Sequence, residues 1–460
     1  MLRLFNHYFP SNAVFQVLVD TLVLFLAIVV AAFATSNGAA SLRIVAPSAL
    51  FFAAVMLIVG TALGFYRSQR ERSLRRLFGR VALTLVISVP IAYGVFHALP
   101  WGHIEHEALD AIVVMLLGAV LLLRSMARTR PGTAMWSRRV LVIGTGREAA
   151  SVAQSMAHSS NAGLSIVGFY PAPGADEMEV HPGNVLPARR SLLETVRDLE
   201  VDEIIIAVRE RRGGALPLAQ LLDCKLAGIK VLDLSCFFER VQGQVRVDSL
   251  RASWLIYGEG FRQGFMRTLV KRVFDVVAAI VLLILAAPVM FVTVLAILFE
   301  DGGPVLYTQE RVGQGGRAFK VVKFRSMRTD AEGDGKPRWA QSNDDRVTRV
   351  GRLIRKARID ELPQLLNVLV GDMSMVGPRP EREYFVDQLT AQVPFYAVRH
   401  SVKPGVTGWA QVRYQYGASI DDSVQKLQYD LYYVKNHTLF LDLMVLAETV
   451  RVVMTGEGAH

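Results

Sequence analysis

Four apolar stretches open the chain, at Val14 to Ala34, Val45 to Phe65, Val81 to Leu99 and Ala108 to Leu123. Each is close to the roughly 20 residues with which an α-helix crosses a bilayer, so they predict four transmembrane helices. The first is too long for the core of a signal peptide and has no small-residue cleavage pattern before the next span, which predicts that it is retained. From Arg138 the pattern changes to short β-branched runs alternating with helical stretches: Val140 to Ile143, Glu148 to His158, Ile166 to Tyr170, Leu192 to Leu199, Glu203 to Val208, Leu216 to Ala227 and Ile229 to Leu232. That alternation predicts a doubly wound α/β domain. A further apolar run, Val276 to Phe299, is interrupted by Pro288, and the remainder, Asp301 to His460, interleaves charged and apolar residues.

Charge orients these segments. Arg67, Arg70, Arg72, Arg75, Arg76 and Arg80 crowd one loop and Arg124, Arg128 and Arg130 follow the fourth span, whereas Glu105 and Glu107 lie between the third and fourth. Cytoplasmic loops carry the excess of arginine, which puts both ends of the bundle in the cytoplasm. Buried helices of a soluble core would not concentrate arginine at alternate loops. The whole chain has 460 residues, a formal charge of +10 and a hydrophobic fraction of 52%, too long for one ordinary domain and too apolar for an ordinary soluble protein. Its basic residues border apolar runs, which suits an anionic membrane surface or a phosphate-bearing substrate as well as nucleic acid. Cys224 and Cys236 are too few for a disulfide framework or a thiolate zinc site and read as two buried thiols.

The run Val276 to Phe299 is long enough to cross a bilayer, and it follows the basic cluster Arg267, Lys271 and Arg272. A crossing would put the α/β domain and the basic C-terminal domain on opposite sides, although both flanks are rich in cations. The charge pattern therefore favours a re-entrant hairpin bent at Pro288 over a true span. In the α/β domain the first turn reads Gly144-Thr145-Gly146-Arg147-Glu148-Ala149, a G-x-G-x-x-A between strand and helix where backbone N–H groups can receive a pyrophosphate. Gly144 and Gly146 are thus candidate cofactor-binding residues. Pro171, Ala172 and Pro173 stand where an acidic ribose ligand belongs, so a structural or regulatory domain that keeps the turn for its geometry is an open alternative.

The chemistry concentrates further on. In Phe319 to Met327, strand alternation puts Lys323 and Arg325 on one face with Val321, opposite Val322 and Phe324, which makes an anion site or simply a solvated strand face. Next comes Arg355-Lys356-Ala357-Arg358-Ile359-Asp360-Glu361-Leu362-Pro363. Proline is best tolerated in the first turn of a helix, so Asp360 and Glu361 fall at or just before a helix start, where free N–H groups and the macrodipole favour ionised carboxylates. Adjacent acids there are also common helix decoration. Downstream, Arg379 sits between Pro378 and Pro380, a rigid mount that fixes its direction. The C-terminal run Leu439 to Met454 predicts an amphipathic helix, either at the lipid interface or packed in the domain.

Seven segments follow one another from Lys271 to Val434: Lys271-Arg272-Val273-Phe274-Asp275, Lys323-Phe324-Arg325-Ser326-Met327, Asp360-Glu361-Leu362-Pro363-Gln364, Gly371-Asp372-Met373-Ser374, Gly377-Pro378-Arg379-Pro380, Lys403 to Gln411 and Tyr429-Asp430-Leu431-Tyr432-Tyr433-Val434. In kind and order they resemble the bacterial sugar transferase family, the monotopic polyprenyl-phosphate phosphoglycosyl transferases, and the N-terminal part resembles the long form of that family. The resemblance implies a membrane protein of mixed α and α/β class. Residues 1–130 would form a four-helix transmembrane bundle, 138–250 a Rossmann-like α/β domain, and 267–460 a mostly helical catalytic domain with a re-entrant membrane helix at 272–299. It implies transfer of hexose 1-phosphate from a UDP-sugar (UDP-hexose) to undecaprenyl phosphate with release of UMP and a requirement for Mg2+. The enzyme would be a homodimer, with no nucleic-acid partner, and would initiate exopolysaccharide synthesis at the bacterial inner membrane with its soluble domains cytoplasmic.

Carried over by position, Asp360 matches the nucleophile and, with the substrate diphosphate, the metal ligand. Glu361 matches its acid–base partner, and Lys323, Arg355 and Arg379 match phosphate-binding residues. A serine commonly precedes the bending proline in the family, whereas this chain has Ala287. The rival readings are a membrane-bound sugar-nucleotide dehydratase, which needs a second glycine-rich fold and a Tyr-x-x-x-Lys pair after residue 270, and a nucleotide-sensing membrane scaffold, which leaves Asp360, Glu361 and Arg379 idle.

Overall fold

A computed structural model describes residues 11–35, 42–62, 137–158, 164–172, 178–187, 191–208, 216–247, 264–329, 346–414 and 419–455, with a few shorter pieces. The third and fourth predicted spans and the loops that orient the bundle lie outside the described residues, apart from isolated positions. The chain divides into two compact units with the boundary between Leu234 and Ser235, residues 5–7 aside.

In the first unit, helices α1 (Ser11–Thr35) and α2 (Leu42–Ala62) coincide with the first two predicted spans and pack on each other. Leu24, Ile28 and Ala32 are buried on α1, and Val45, Ala49, Phe52 and Met56 on α2. The spacing of three or four gives each helix one packed face. Leu18, Leu22, Leu26 and Val30 remain exposed along the opposite side of α1, an apolar stripe that suits lipid rather than water.

The α/β part of this unit is a four-stranded parallel sheet of β1 (Arg138–Ile143), β2 (Leu164–Tyr170), β3 (Glu203–Ile206) and β4 (Lys230–Asp233), in the spatial order β2-β1-β3-β4. Val140 lies opposite Ile166 on one side and Glu203 on the other. The central strands are near-continuous apolar runs because helices cover the sheet: α3 (Arg147–His158), α4 (Leu192–Asp198) and α5 (Leu218–Leu226) supply the crossovers. The predicted alternation is therefore the observed one. Cys224 is buried as expected, but Cys236 is exposed, because it falls on the outer side of the next helix.

That helix, α6 (Leu234–Gln242), follows β4 directly and belongs, from Ser235, to the second unit. Beyond it Val245 and Val247 enter the core of that unit, the Val245 N–H donates to Gln428 O, and the Trp409 indole donates to Gly243 O. Next comes α7 (Phe265–Asp301), 37 residues that continue unbroken through Pro288, so the proline expected to break this run leaves one continuous helix, since it removes only a single helical hydrogen bond. Among the described residues it is the one helix long and apolar enough to cross a membrane. Asp275, Ala279, Thr293 and Ile297 are buried along one face, while Ile284, Leu285, Phe291 and Val292 are exposed.

Both arms of α7 are fastened to the same domain. Near its start Arg272 donates to Val368 O and Leu369 O, Lys271 pairs with the buried Asp442 at 2.7 Å, and Asp275 accepts from Met375 N. At its end the Glu300 carboxylate accepts from Arg349 N and Val350 N, at the start of helix α8 (Arg349–Lys356). The intervening ribbon pairs β5 (Leu306–Val312) with β6 (Ala318–Phe324), antiparallel.

The rest is mostly helical: α9 (Gln364–Val370), α10 (Glu383–Gln392), α11 (Trp409–Arg413), α12 (Ile420–Asn436) and α13 (Leu439–Thr455) surround two short parallel strands, β7 (Ser374–Val376) and β8 (Gly405–Thr407). Tyr432, Tyr433, Met375 and Val376 are buried at their junction, and α13 inserts Leu441, Asp442 and Val445 into the same core, so this helix packs in the domain along that face. The two strands meet through glycines. A Cβ on Gly405 would lie 2.1 Å from Gly377 N and 2.3 Å from Thr407 O, so the motifs around Gly377 and Gly405 need each other bare. Gly405→Ala is expected to destabilise the second unit by about 3 kcal/mol through overpacking. Chemical denaturation in detergent or nanodiscs measures this, and an unchanged midpoint would contradict the close approach.

Candidate active site

Three elements converge on one carboxylate. Strand β6 carries Lys323 beside α9, because the Asn367 side chain donates to Lys320 O at 2.8 Å and accepts from Val322 N at 3.1 Å. Helix α8 ends at Lys356, and Arg358 adopts a left-handed conformation (φ 58°) that turns the chain into a single 3-10 turn, Ile359–Glu361. Pro363, with no N–H to lose, then opens α9. Asp360 and Glu361 thus stand immediately before a helix, where the sequence places them. From the far side, the turn Gly377-Pro378-Arg379-Pro380 delivers Arg379.

The Glu361 carboxylate accepts from Arg379 Nη2 at 2.9 Å and from Lys323 Nζ at 3.3 Å, and pairs with Arg358 Nη1 at 3.6 Å. Burial raises its pKa, but the Arg379, Lys323 and Arg358 charges outweigh that and hold the carboxyl well below the usual range. Burial lowers the Lys323 ammonium, an effect that the Glu361 charge opposes. Asp360 is different. It is 9% exposed and makes no hydrogen bond or ion pair among the described residues. Burial first and the Glu361 charge second push its carboxyl up to about 6, against the opposing pull of Lys323, Arg379 and Arg355. That is about 3 kcal/mol in favour of the neutral acid. The helix-start argument expected two ionised carboxylates, which a carboxyl of about 6 still permits at neutral pH; what the structure separates is their affinity for a proton, because three cations satisfy Glu361 and leave Asp360 beside its charge.

Arg355 lies in the last turn of α8 and contributes at longer range. Arg325 does not belong to this centre. Strand β6 ends at Phe324, and the buried Arg325 guanidinium turns instead to Asp301 O and Gly302 O at 3.0 and 2.7 Å and to the Asp301 carboxylate at 3.3 Å. The strand-face expectation fails there because the carbonyls at the end of α7 attract a cation more closely than a solvated face would. Gly144 and Gly146 belong to the first unit. Gly144 has φ 119° and a Cβ there would meet Ala207 O at 2.5 Å, while its N–H donates to Tyr170 O and Thr145 O accepts from Glu179 N. One N–H of the predicted pyrophosphate cradle is therefore already committed. Arg358 and Asn367 were not singled out by sequence; neither spacing nor composition marks a left-handed arginine or an amide bridging strand to helix.

No group of three or more metal-ligating His, Cys, Asp or Glu side chains occurs among the described residues. The donor set fits a hard divalent cation only in part: Asp360 offers unengaged carboxylate oxygens, and a cation such as Mg2+ commonly takes one protein carboxylate plus substrate phosphates and water.

By fold and site this is a mixed α/β protein in which a long apolar helix is built onto a carboxylate–cation centre suited to anionic substrates. The chain belongs to the bacterial sugar transferase family, whose profile matches residues 266–456. A second profile, a CoA-binding domain, matches residues 61–215. The UDP-N-acetylgalactosamine-undecaprenyl-phosphate N-acetylgalactosaminephosphotransferase of Aeromonas hydrophila is 45% identical over 52% of this chain and 56% of its own length, so the match spans little more than half of that relative. The UDP-glucose:undecaprenyl-phosphate glucose-1-phosphate transferase of Caulobacter vibrioides is 45% identical over 41% of this chain and 72% of its own. An enzyme of the same name from Klebsiella pneumoniae is 33% identical over 68% of this chain and 67% of its own.

The electrostatics predict a titration. Selectively labelled aspartate, followed by NMR in the substrate-free protein, should show Asp360 titrating near pH 6, a signal lost in Asp360→Asn. In Glu361→Gln the midpoint should fall, because a negative neighbour is removed while Lys323 and Arg379 keep their charge. A midpoint that rises would contradict the assignment.

Proposed function

We propose that this protein transfers hexose 1-phosphate from a UDP-sugar to undecaprenyl phosphate, releasing UMP, on the cytoplasmic side of a bacterial inner membrane and as the first membrane step of exopolysaccharide synthesis. The observation that carries the reading is the asymmetric pair: Asp360 has a buried, unengaged carboxylate beside a Glu361 that gathers Arg379, Lys323 and Arg358. The names of the relatives agree with the substrates.

Two anionic reactants repel, so the site must supply cations where phosphate arrives. Ionised Asp360 attacks the phosphorus next to the sugar; the P–O bond to UMP breaks and UMP leaves with the electron pair. An oxygen of undecaprenyl phosphate then attacks the same phosphorus, the bond to Asp360 breaks, and the carboxylate is restored. Splitting the transfer in this way spares the site from binding both donors at once. Lys323, Arg355 and Arg379 bind the phosphates. Glu361, held ionised, orients Arg379 and Lys323 rather than exchanging a proton. Asp360 and the diphosphate would hold Mg2+, which would neutralise charge on the departing UMP.

Topology supports the same reading. At about 1.5 Å per residue α7 measures about 55 Å along its axis, well beyond the roughly 30 Å of a bilayer's hydrocarbon core. A straight crossing would part its two ends by the membrane, yet Arg272 and Glu300 are tied to one folded domain. A helix that stays continuous but kinks where Pro288 removes a hydrogen bond, and so enters and leaves by one face, would satisfy both ties. The exposed Leu353 on α8 and Leu366 and Val370 on α9 flank the carboxylates and suit a lipid surface.

Asp360→Asn is expected to lower UMP release by at least about a thousandfold while leaving the thermal midpoint unchanged. The assay uses membranes with undecaprenyl phosphate, Mg2+ and a panel of UDP-hexoses including UDP-glucose and UDP-N-acetylgalactosamine; no UMP release from any of them would sink the proposal. Reporters at Gly264 and at the C-terminus should both face the cytoplasm, and opposite faces would establish a span.

A further inference from the structure

The turn that carries Arg379 is held by its carbonyls. Pro378 and Pro380 have no N–H to give to a sheet, so the ties come from elsewhere. Gly405 N donates to Pro378 O at 3.0 Å, Arg399 Nη2 to Arg379 O at 2.9 Å and Arg311 Nη1 to Pro380 O at 3.3 Å. The Arg399 guanidinium is the donor on Arg379 itself, and it is unusually well fixed. Its Nε and Nη2 bond Asp430 Oδ2 at 3.0 and 2.8 Å, and its Nη1 donates to the Tyr396 hydroxyl at 2.8 Å. Arg399 and Asp430 are only 5% and 2% exposed. An ion pair so deeply buried adds little net stability over apolar residues of the same volume, so stability is a poor account of it. A planar fork locked by a carboxylate at Nε and Nη2 and by a hydroxyl at Nη1 does, however, aim the second Nη2 N–H in a single direction. That direction is the Arg379 carbonyl.

We propose that Arg399, locked by Asp430, is a positioning residue for the transfer reaction: it fixes the Arg379 backbone so that the Arg379 guanidinium meets Glu361 and the arriving phosphate at a set distance. Neither Arg399 nor Asp430 touches the reacting atoms. The inference rests on the reading of Arg379 as a phosphate-binding group. It also gives work to Asp430, which lies in the Tyr429-Asp430-Leu431-Tyr432-Tyr433 segment without any role in the chemistry above.

The test uses the full-length protein in nanodiscs, with UMP release from the UDP-hexose that turns over. Arg399→Lys keeps the charge and loses the fork; Asp430→Asn keeps the volume and loses the lock. Both should fold, as judged by thermal midpoint, and lower kcat by about tenfold to a hundredfold, the cost of displacing a positioned group by about 1 Å. In an Arg379→Lys background the same substitutions should cost less than about threefold more, because what they position is already lost. Equal fractional losses in the two backgrounds, or a folded Arg399→Lys protein within about twofold of wild-type kcat, would overturn the proposal. Failure of both variants to fold would also overturn it, by assigning the pair to stability alone. An Arg379→Lys protein as active as wild type would instead sink the reading of Arg379 on which the inference stands, a result separable from the others because it needs no change at Arg399.

Discussion

The second unit is organised around one buried anion. Glu361 lies beneath the surface with its charge intact, and an ionised carboxylate there without counter-charges would cost several kcal/mol. Lys323, Arg358 and Arg379 supply them from a strand, a left-handed turn and a proline-flanked turn. Those three elements have to meet for the charge to be tolerated, and each has its own fastening: Asn367 ties the strand to α9, Arg358 takes the strained φ, and Gly377 and Gly405 press their backbones together under Arg379. The same anion sets the character of its neighbour. Asp360 sits in the field of a carboxylate whose cations are already engaged, and it stays buried, unpaired and harder to ionise than an ordinary aspartate.

The position of this centre relative to the long apolar helix follows from similar bonds. Helix α9, which begins at the carboxylates, ends with Val368 and Leu369 accepting from Arg272 on α7. Lys403 donates to Gly371 O just beyond, at 2.7 Å, so two cations meet the carbonyls at the C-terminal end of that helix. At the other end of α7, Arg325 and Glu300 bind the chain before β5 and the start of α8. The apolar helix and the reactive turn are thereby parts of one frame, and the position of one fixes the position of the other.

The catalytic core also extends beyond the segment matched by the family profile. That segment begins at residue 266, yet Val245 and Val247 are buried in the core, Trp409 donates to Gly243 O, and Lys435 pairs with Glu239 at 2.8 Å. Trp409 follows Gly408, which abuts the carbonyl of Gly377. The stretch from Ser235 to Val247 therefore braces the elements that mount Arg379, although it follows the last strand of the α/β sheet without a break.

Periodicity and local chemistry were enough for much of this. The apolar runs determined α1, α2 and α7, the β-branched alternation determined the parallel sheet, and Pro363 determined that Asp360 and Glu361 precede a helix, because each depends on residues close together in the chain. Arg325 shows the limit. Two residues from Lys323, it reads as the same kind of cation, and only the tertiary structure reveals that the strand stops at Phe324 and that the end of α7 claims it. The division of labour between the two carboxylates was equally hidden. Both stand at the same helix start, and which one holds a proton more readily depends on cations arriving from residues as distant as Lys323 and Arg379, whose approach is set by packing. Arg399 and Asp430 carry no local signal of a shared task, since a buried pair becomes visible only when the chain has folded and their separation of 31 positions no longer keeps them apart.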